Sequence, residues 1–320
     1  MLKIFLNVLF LILGLGFLIK GADWFVGGSS SIAKRLKISP FIIGLTIVSF
    51  GTSAPELSVS LASAINGSAD ISVGNIIGSN LFNFLMVLGF SAIFVPIAVD
   101  KNVIKKEFPF LLMTMVVLLA FSFDVFLGER FNIISRGEGI VLVLLLVLYI
   151  VILIKSGNKE EFVEEIPANQ PLWKAIVFFV VGLGLVVFGG ECVTQTSKFL
   201  AMKMGMSETL VGLTIVALGT SLPELMTSII AAKKGENDIA LGNVIGSNIF
   251  NVLMILGLTS IITPLAINNL VLIDMVIMMI VGIIVYIFAA TKKGISRLEG
   301  AILILIYVGY VTYIVLRNYL

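Results

Sequence analysis

The sequence predicts an all-α integral membrane protein: ten transmembrane helices in two inverted five-helix repeats, with helices 2, 3, 7 and 8 broken around a site at the membrane midplane. Three observations predict it. The 320 residues are 59% hydrophobic and only 12% charged, and the mean hydropathy is +1.14, far too apolar for a water-covered surface. Apolar stretches of spanning length recur along the whole chain. The chain also matches itself at a fixed shift, in the segments that are the most polar inside the membrane.

A helix needs roughly 20 apolar residues to cross about 30 Å of hydrocarbon. Such stretches lie near 4–33, 40–66, 70–97, 104–126, 137–155, 172–200, 208–232, 238–265, 269–290 and 297–317. The long polar connection, Ser156 to Gln170, holds Lys159, Glu160, Glu161, Glu164, Glu165 and Pro167. It reads as a linker over 156–171 between repeats at 1–155 and 172–320. No cleavable signal peptide is expected, because the first apolar stretch runs straight into more of the same pattern.

Orientation follows from the basic residues. Connections after odd-numbered spans hold Lys34, Arg35, Lys37, Lys101, Lys105, Lys106, Lys155, Lys159, Lys174, Lys233, Lys234, Lys292, Lys293 and Arg297. The other side holds Lys3, Arg130, Arg136, Lys198, Lys203 and Arg317. Positive-inside bias places the first group in the cytoplasm and both termini outside.

The repeat has a shift of 168 residues. Gly51–Asp100 aligns with Gly219–Asn268 without a gap, with 26 of the 50 positions identical. GTSAPEL meets GTSLPEL, and GNIIGSNLFNFLMVLG meets GNVIGSNIFNVLMILG. Upstream, GLTIV at 44–48 meets GLTIV at 212–216, and Gly14, Gly16 and Gly21 meet Gly182, Gly184 and Gly189. Five spans per copy is an odd number, so the second copy enters the membrane upside down. Inverted repeats of this kind place transport sites near the midplane, on helices interrupted by Gly or Pro.

Glu56 and Glu224 are the acids deep within predicted spans; Asp23, Glu191 and Asp274 fall nearer span ends. A charge at that depth faces a cavity, a partner or an ion, and no Lys or Arg sits at comparable depth. Lys20 lies in span 1 and can snorkel. Two carboxylates suit one divalent cation, and carboxylate oxygen is a hard ligand fit for Ca2+. Pro55 and Pro223 break their helices and free the carbonyls of Gly51 and Gly219. Thr52, Ser53, Thr220 and Ser221 add hydroxyls beside the breaks. Ser79 with Asn83, and Ser247 with Asn251, share a helix face four residues apart and offer neutral oxygen. Gly74–Gly78 and Gly242–Gly246 read as close packing. With no histidine and one cysteine, Cys192, there is no His relay, disulfide or thiolate cluster, and nothing indicates an enzyme, a cofactor or a nucleic-acid partner.

On these motifs the chain resembles the Ca2+/cation antiporter superfamily, and most of all prokaryotic Na+/Ca2+ exchangers. The resemblance implies a multi-pass protein of the prokaryotic cell membrane that needs no obligatory oligomer. It implies Ca2+ ligation by Glu56 and Glu224 with the carbonyls of Thr52 and Thr220. It implies Na+ sites at Ser49, Thr52, Ser53 and Ser79 in one half and Ala217, Thr220, Ser221 and Ser247 in the other, with Asn83 and Asn251 completing a central position. Two positions depart from common relatives. Asn251 stands where K+-dependent members carry Asp, which argues against K+ co-transport, and Ser49 stands where Ala is frequent. Spans 1 and 6 resemble the family's long sliding pair.

The expected activity is alternating-access exchange of Na+ for Ca2+, extruding Ca2+. An H+/Ca2+ exchanger on the same scaffold is the first alternative, and a cation channel is the alternative from another class. An intramembrane enzyme is disfavoured, because the glutamates lack a nucleophile arrangement beyond the adjacent serines.

Overall fold

A computed structural model describes residues 2–67, 69–124, 132–157, 171–205 and 217–319. Residues 158–170 of the expected linker, Lys159 among them, and Arg130 and the second GLTIV segment at 212–216 lie outside the described residues. The elements in order are α1 (Leu2–Leu36), α2 (Pro40–Thr52), α3 (Ala54–Ile65), α4 (Ala69–Phe82), α5 (Leu88–Phe94), β1 (Ile97–Ala98), α6 (Phe108–Phe121), β2 (Asn132–Ile134), α7 (Arg136–Gly157) and α8 (Leu172–Lys203). There follow α9 (Ala217–Thr220), α10 (Leu222–Lys233), α11 (Asn237–Phe250), α12 (Gly257–Ile262), β3 (Leu265–Ile267), α13 (Asn269–Lys292), β4 (Gly294–Ile295) and α14 (Arg297–Tyr319). Among the described residues seven helices are long and apolar enough to cross a membrane, and an eighth is made by α2 with α3.

Two of the four expected breaks are present. α2 and α3 meet at an angle of 45° across Ser53, whose backbone (φ −82°, ψ 7°) leaves the helical well. Ser221 (φ −92°, ψ 6°) separates α9 from α10 in the same way. In both, proline enters within the first two positions of the following helix, where its missing N–H costs no hydrogen bond. The breaks expected in spans 3 and 8 are absent. There the helix runs on through π turns, Asn83–Val87 between α4 and α5 and Asn251–Leu256 between α11 and α12. No proline interrupts either segment; the prolines come later, at Pro96 and Pro264. They end the helices early. Val95 and Thr263 are extended, with φ −141° and −135°, as residues before proline prefer, so Ile97 and Leu265 join strands instead of the spans predicted to include them.

These two continuous spans form the centre: 78% of Ile71–Phe94 and 83% of Asn237–Ile262 in their most apolar windows is buried, against 17–39% for the other long helices. The outer helices therefore turn most of their apolar surface outward, which only lipid can cover. Short antiparallel ribbons tie the periphery, β1 to β4 and β2 to β3. Gly67 and Gly235, 168 residues apart, both adopt φ +79°, a left-handed turn that glycine takes without strain and that starts the connection into the central spans.

α1 lies antiparallel along α8 for most of its length. The contact is backbone against backbone. A Cβ on Gly21 would stand 2.8 Å from Val186 N, one on Gly28 2.5 Å from Phe179 N, and one on Gly189 2.8 Å from Leu18 N; one on Gly182 would collide with Phe25 N. Gly16 and Gly184 meet nothing within 4 Å. Small residues at an interface let membrane helices approach and gain dispersion contact. Of the small-residue pairs expected to pack the central spans, Gly242 and Gly246 face the α2 backbone: a Cβ on Gly242 would stand 2.5 Å from Phe41 O, and one on Gly246 would collide with Leu45 O. By the 168-residue register, the counterparts facing Gly74 and Gly78 fall at 209–213, outside the described residues.

Asp274, read from sequence as lying near a span end, is buried. It accepts both arms of Arg317, Nη1 to Oδ1 at 2.8 Å and Nη2 to Oδ2 at 2.6 Å, tying α13 to α14. Lys20, expected to snorkel, is 59% exposed and pairs with Asp23 at 2.9 Å.

The glycine seam sets a test. Gly28→Ala should destabilise the protein by about 1–3 kcal/mol through overpacking, lowering the thermal unfolding midpoint in detergent, while Gly184→Ala should leave that midpoint unchanged.

Candidate functional site

The breaks at Ser53 and Ser221 bring α3 and α10 together at the middle of the molecule, with Glu56 and Glu224 each in the first turn of the new helix. Both side chains are completely buried. Among the described residues the ion pairs involve Asp23, Asp274, Glu236 and Glu299, and neither of these two acids. Their partners are hydroxyls supplied across the two halves. Ser221 Oγ donates to Glu56 Oε1 at 2.9 Å and Ser53 Oγ donates to Glu224 Oε1 at 3.1 Å. Ser79 Oγ also reaches Glu56 Oε1, at 3.4 Å. The Thr52 hydroxyl turns to Asn243 Oδ1 and Ser49 O, and the buried Ser247 hydroxyl makes no hydrogen bond.

The central spans close the site with asparagines. Asn251 Nδ2 donates to Ser79 Oγ at 3.0 Å and to Asn80 Oδ1 at 2.9 Å; Asn83 Nδ2 donates to Asn248 Oδ1 and Asn80 Nδ2 to Asn248 O, each at 3.4 Å. The Nδ2 donors of Asn80, Asn83 and Asn251 are taken by neighbouring protein oxygens, while Asn248 Nδ2 has no partner. Several oxygens are left as well. Glu56 Oε2, Glu224 Oε2, Asn83 Oδ1 and Asn251 Oδ1 are all buried and make no hydrogen bond. Buried acceptors left without partners cost free energy, and two carboxylate and two amide oxygens of this kind suit a hard cation. No group of three or more His, Cys, Asp or Glu side chains that could hold a metal occurs among the described residues; what gathers here is two carboxylates and neutral oxygen.

The structure places the sequence-predicted residues as follows. Glu56, Glu224, Thr52, Ser53, Ser79, Asn83, Ser221, Ser247 and Asn251 are buried around this centre, and Thr220 lies beside it with 7% exposure. Ala217 begins α9, and its side chain is outside the described residues. Ser49 is fully buried, but its hydroxyl turns back to Leu45 O at 2.6 Å, leaving its carbonyl as the group nearest the break. Sequence reasoning named Asn80 and Asn248 beside the site serines without giving them a ligand role, left Asn75 and Asn243 as letters of the repeated motif, and passed over Ser60 and Ser228. Asn75 Nδ2 donates to Ser60 Oγ at 3.1 Å, and Asn243 Nδ2 to Ser228 Oγ at 2.9 Å. The available signal was their identity in both aligned copies.

A crevice of about 370 Å3 runs between α3, α8 and the α9–α10 break. It is lined in part by Pro55, Ser58, Glu191, Thr194, Thr220 and Pro223, and so reaches both broken helices.

A family model described as "Sodium/calcium exchanger protein" matches residues 6–155 and 174–316. The chain belongs to the sodium/calcium exchanger family. Among this exchanger's relatives, the putative antiporter CaxA of Alkalimonas amylolytica is 41% identical over 94% of this chain and 96% of its own. The sodium/calcium exchanger MaX1 of Methanosarcina acetivorans is 33% identical over 95% of this chain and 97% of its own. A solved structure of the sodium-calcium exchanger NCX_Mj, soaked with Na+ and Sr2+, superposes with a TM-score of 0.84 at 34% identity, over 97% of this chain and 98% of that one. The protein is thus a multi-pass membrane antiporter of cations including Ca2+, and not an enzyme.

Ca2+ at 100 times its dissociation constant should stabilise the folded exchanger by about 2.7 kcal/mol, raising the thermal unfolding midpoint in detergent. Glu56→Gln and Glu224→Gln should each abolish that rise.

Proposed function

We propose that this exchanger extrudes Ca2+ across the prokaryotic cell membrane in exchange for entering Na+, by alternating access to one shared site. The observation that carries the reading is the pair of buried glutamates, each holding a serine hydroxyl from the opposite half on one oxygen and no partner on the other. One Ca2+ cancels both charges. Several Na+ ions do the same, and the two occupancies exclude each other. In this reading Glu56 and Glu224, with the carbonyls of Thr52 and Thr220, take Ca2+. The groups around Ser49, Thr52, Ser53 and Ser79, and around Ala217, Thr220, Ser221 and Ser247, take Na+. Asn83 and Asn251 serve the central position with their free amide oxygens.

The architecture behind it is ten spans in two inverted repeats, 1–155 and 172–320, joined by a cytoplasmic linker, with both termini outside. Support comes from the reciprocal bonds between matched residues, from the ribbons β1–β4 and β2–β3, and from the basic residues gathered on one side. Every site group comes from one chain, so a single chain suffices. The glycine seam makes α1 and α8 a unit that can shift against the site, and the crevice beside α8 is the passage such a shift opens or closes. A loaded site is neutral and can pass behind a closed apolar gate, whereas an empty one carries naked charge, which is costly there.

Uptake of 45Ca2+ into proteoliposomes tests the coupling. Na+-loaded vesicles should accumulate Ca2+, K+-loaded vesicles should not, an imposed pH gradient should have no effect, and Glu56→Gln or Glu224→Gln should be inactive. Uptake driven by the pH gradient without Na+ would replace the coupling ion with H+. Single-channel currents would replace the carrier with a channel.

A further inference from the structure

Asn243 lies on α11 one turn before Ser247 and is fully buried. Gly242 beside it and Gly246 let α11 press against the backbone of α2 at Phe41 and Leu45, which brings Asn243 to Thr52 across the two halves. Thr52 Oγ1 donates to Asn243 Oδ1 at 3.1 Å. It also stands 3.3 Å from a second acceptor, Ser49 O. A hydroxyl has one proton to give, so the two acceptors compete for it. Ser49 O is already half used. It accepts the Ser53 N–H at 2.9 Å, and a carbonyl has two lone pairs. Whatever takes the Thr52 proton therefore decides whether the second lone pair of Ser49 O is spent.

The acceptor on Asn243 is held in place. Its Nδ2 donates to Ser228 Oγ at 2.9 Å and to Glu224 O at 3.4 Å, and Ser228 Oγ in turn donates to Ala240 O at 3.4 Å. This fixes which end of the amide faces Thr52. Asn75 makes the matching bond to Ser60 in the other half.

We propose that Asn243 is a positioning residue for Na+: its amide oxygen holds the Thr52 proton and thereby keeps the Ser49 carbonyl free to bind the ion. The inference rests on the reading of the broken helix as a Na+ ligand set. Without Asn243 the Thr52 hydroxyl turns to Ser49 O and occupies the lone pair that Na+ requires. Ca2+ binding, carried by the two glutamates, is touched far less.

Na+-driven 45Ca2+ uptake in proteoliposomes reads both ions. Asn243→Ala should raise the Na+ concentration for half-maximal exchange about fivefold, the worth of one ordinary hydrogen bond, and move Ca2+ half-saturation by less than about twofold. Ser228→Ala, which removes one of the two anchors of the Asn243 amide and leaves the bond to Glu224 O, should shift Na+ in the same direction but by less than Asn243→Ala, and leave Ca2+ unmoved. In a Thr52→Val background, with the competing hydroxyl removed, Asn243→Ala should add no further Na+ penalty. Asn243→Ser, which withdraws the acceptor from Thr52 but keeps a polar group near Ser228, carries the test if the alanine variant does not fold. Equal shifts for Na+ and Ca2+, or a full additional Na+ penalty in the Thr52→Val background, would make Asn243 a structural brace and overturn the proposal. Wild-type uptake that ignores Na+ overturns this proposal together with the Na+ coupling itself; Na+-driven wild-type uptake with an unshifted Asn243→Ala overturns this proposal alone.

Discussion

Two carboxylates are buried at the heart of a membrane protein with no ion-pair partner among the described residues, and the rest of the structure follows from that constraint. Charge at this depth is tolerated only where polar groups or ions answer it. The chain answers with hydroxyls delivered from the opposite half, Ser221 to Glu56 and Ser53 to Glu224. That exchange is geometrically possible only if both helices break where the serines stand. Pro55 and Pro223 set the breaks, and the glutamates follow in the first turn of each restarted helix, where the positive end of the helix dipole favours negative charge. Broken helix, reciprocal serine and buried acid are therefore one device, made twice.

The proposed alternating access asks for a rigid surround and a movable wall. Rigidity comes from the central spans, which no proline interrupts and whose polar faces are locked by Asn80, Asn83, Asn248 and Asn251. The wall is α1 against α8. Their seam is built from glycines whose Cβ positions would fall on backbone atoms of the partner, so the two helices hold each other more closely than side chains would allow. Outside the seam they present apolar surface to lipid, which offers no specific contact to resist displacement.

The fold was legible in the sequence to the extent that it rests on repetition and hydropathy. Self-alignment located the two acids, the serines and the central asparagines at once, because the same letters had to build the same half-site twice. It failed where an element's end depends on one peptide unit. Pro96 and Pro264 were read as membrane residues, yet each forces the preceding residue into an extended conformation and turns the span into a ribbon. The breaks assigned to spans 3 and 8 failed for the converse reason: glycine and asparagine permit a break without compelling one, and a π turn absorbs the strain at lower cost. Asn243 stood in the repeated GNVIGSN segment, but its hydrogen bond to Thr52 in the other half could not be read from it, because that bond depends on how closely α11 packs on α2.

The contrast between Asp274 and the two glutamates shows how the protein sorts its buried acids. Asp274 is nearly as buried, but Arg317 takes both of its oxygens at 2.8 and 2.6 Å. Such a pair is permanent: removing either partner leaves an uncompensated charge at a cost of about 3–5 kcal/mol. Its natural use is to anchor α14, and it offers an ion nothing. An arginine so placed beside Glu56 would quiet the charge equally well and would close the site, since a cation would then have to displace a bidentate partner. Serine hydroxyls are the opposite kind of neighbour. They bond a carboxylate without neutralising it, and they can rotate to present lone pairs when an ion arrives. The Oε2 atoms of both glutamates are left without a hydrogen-bond partner.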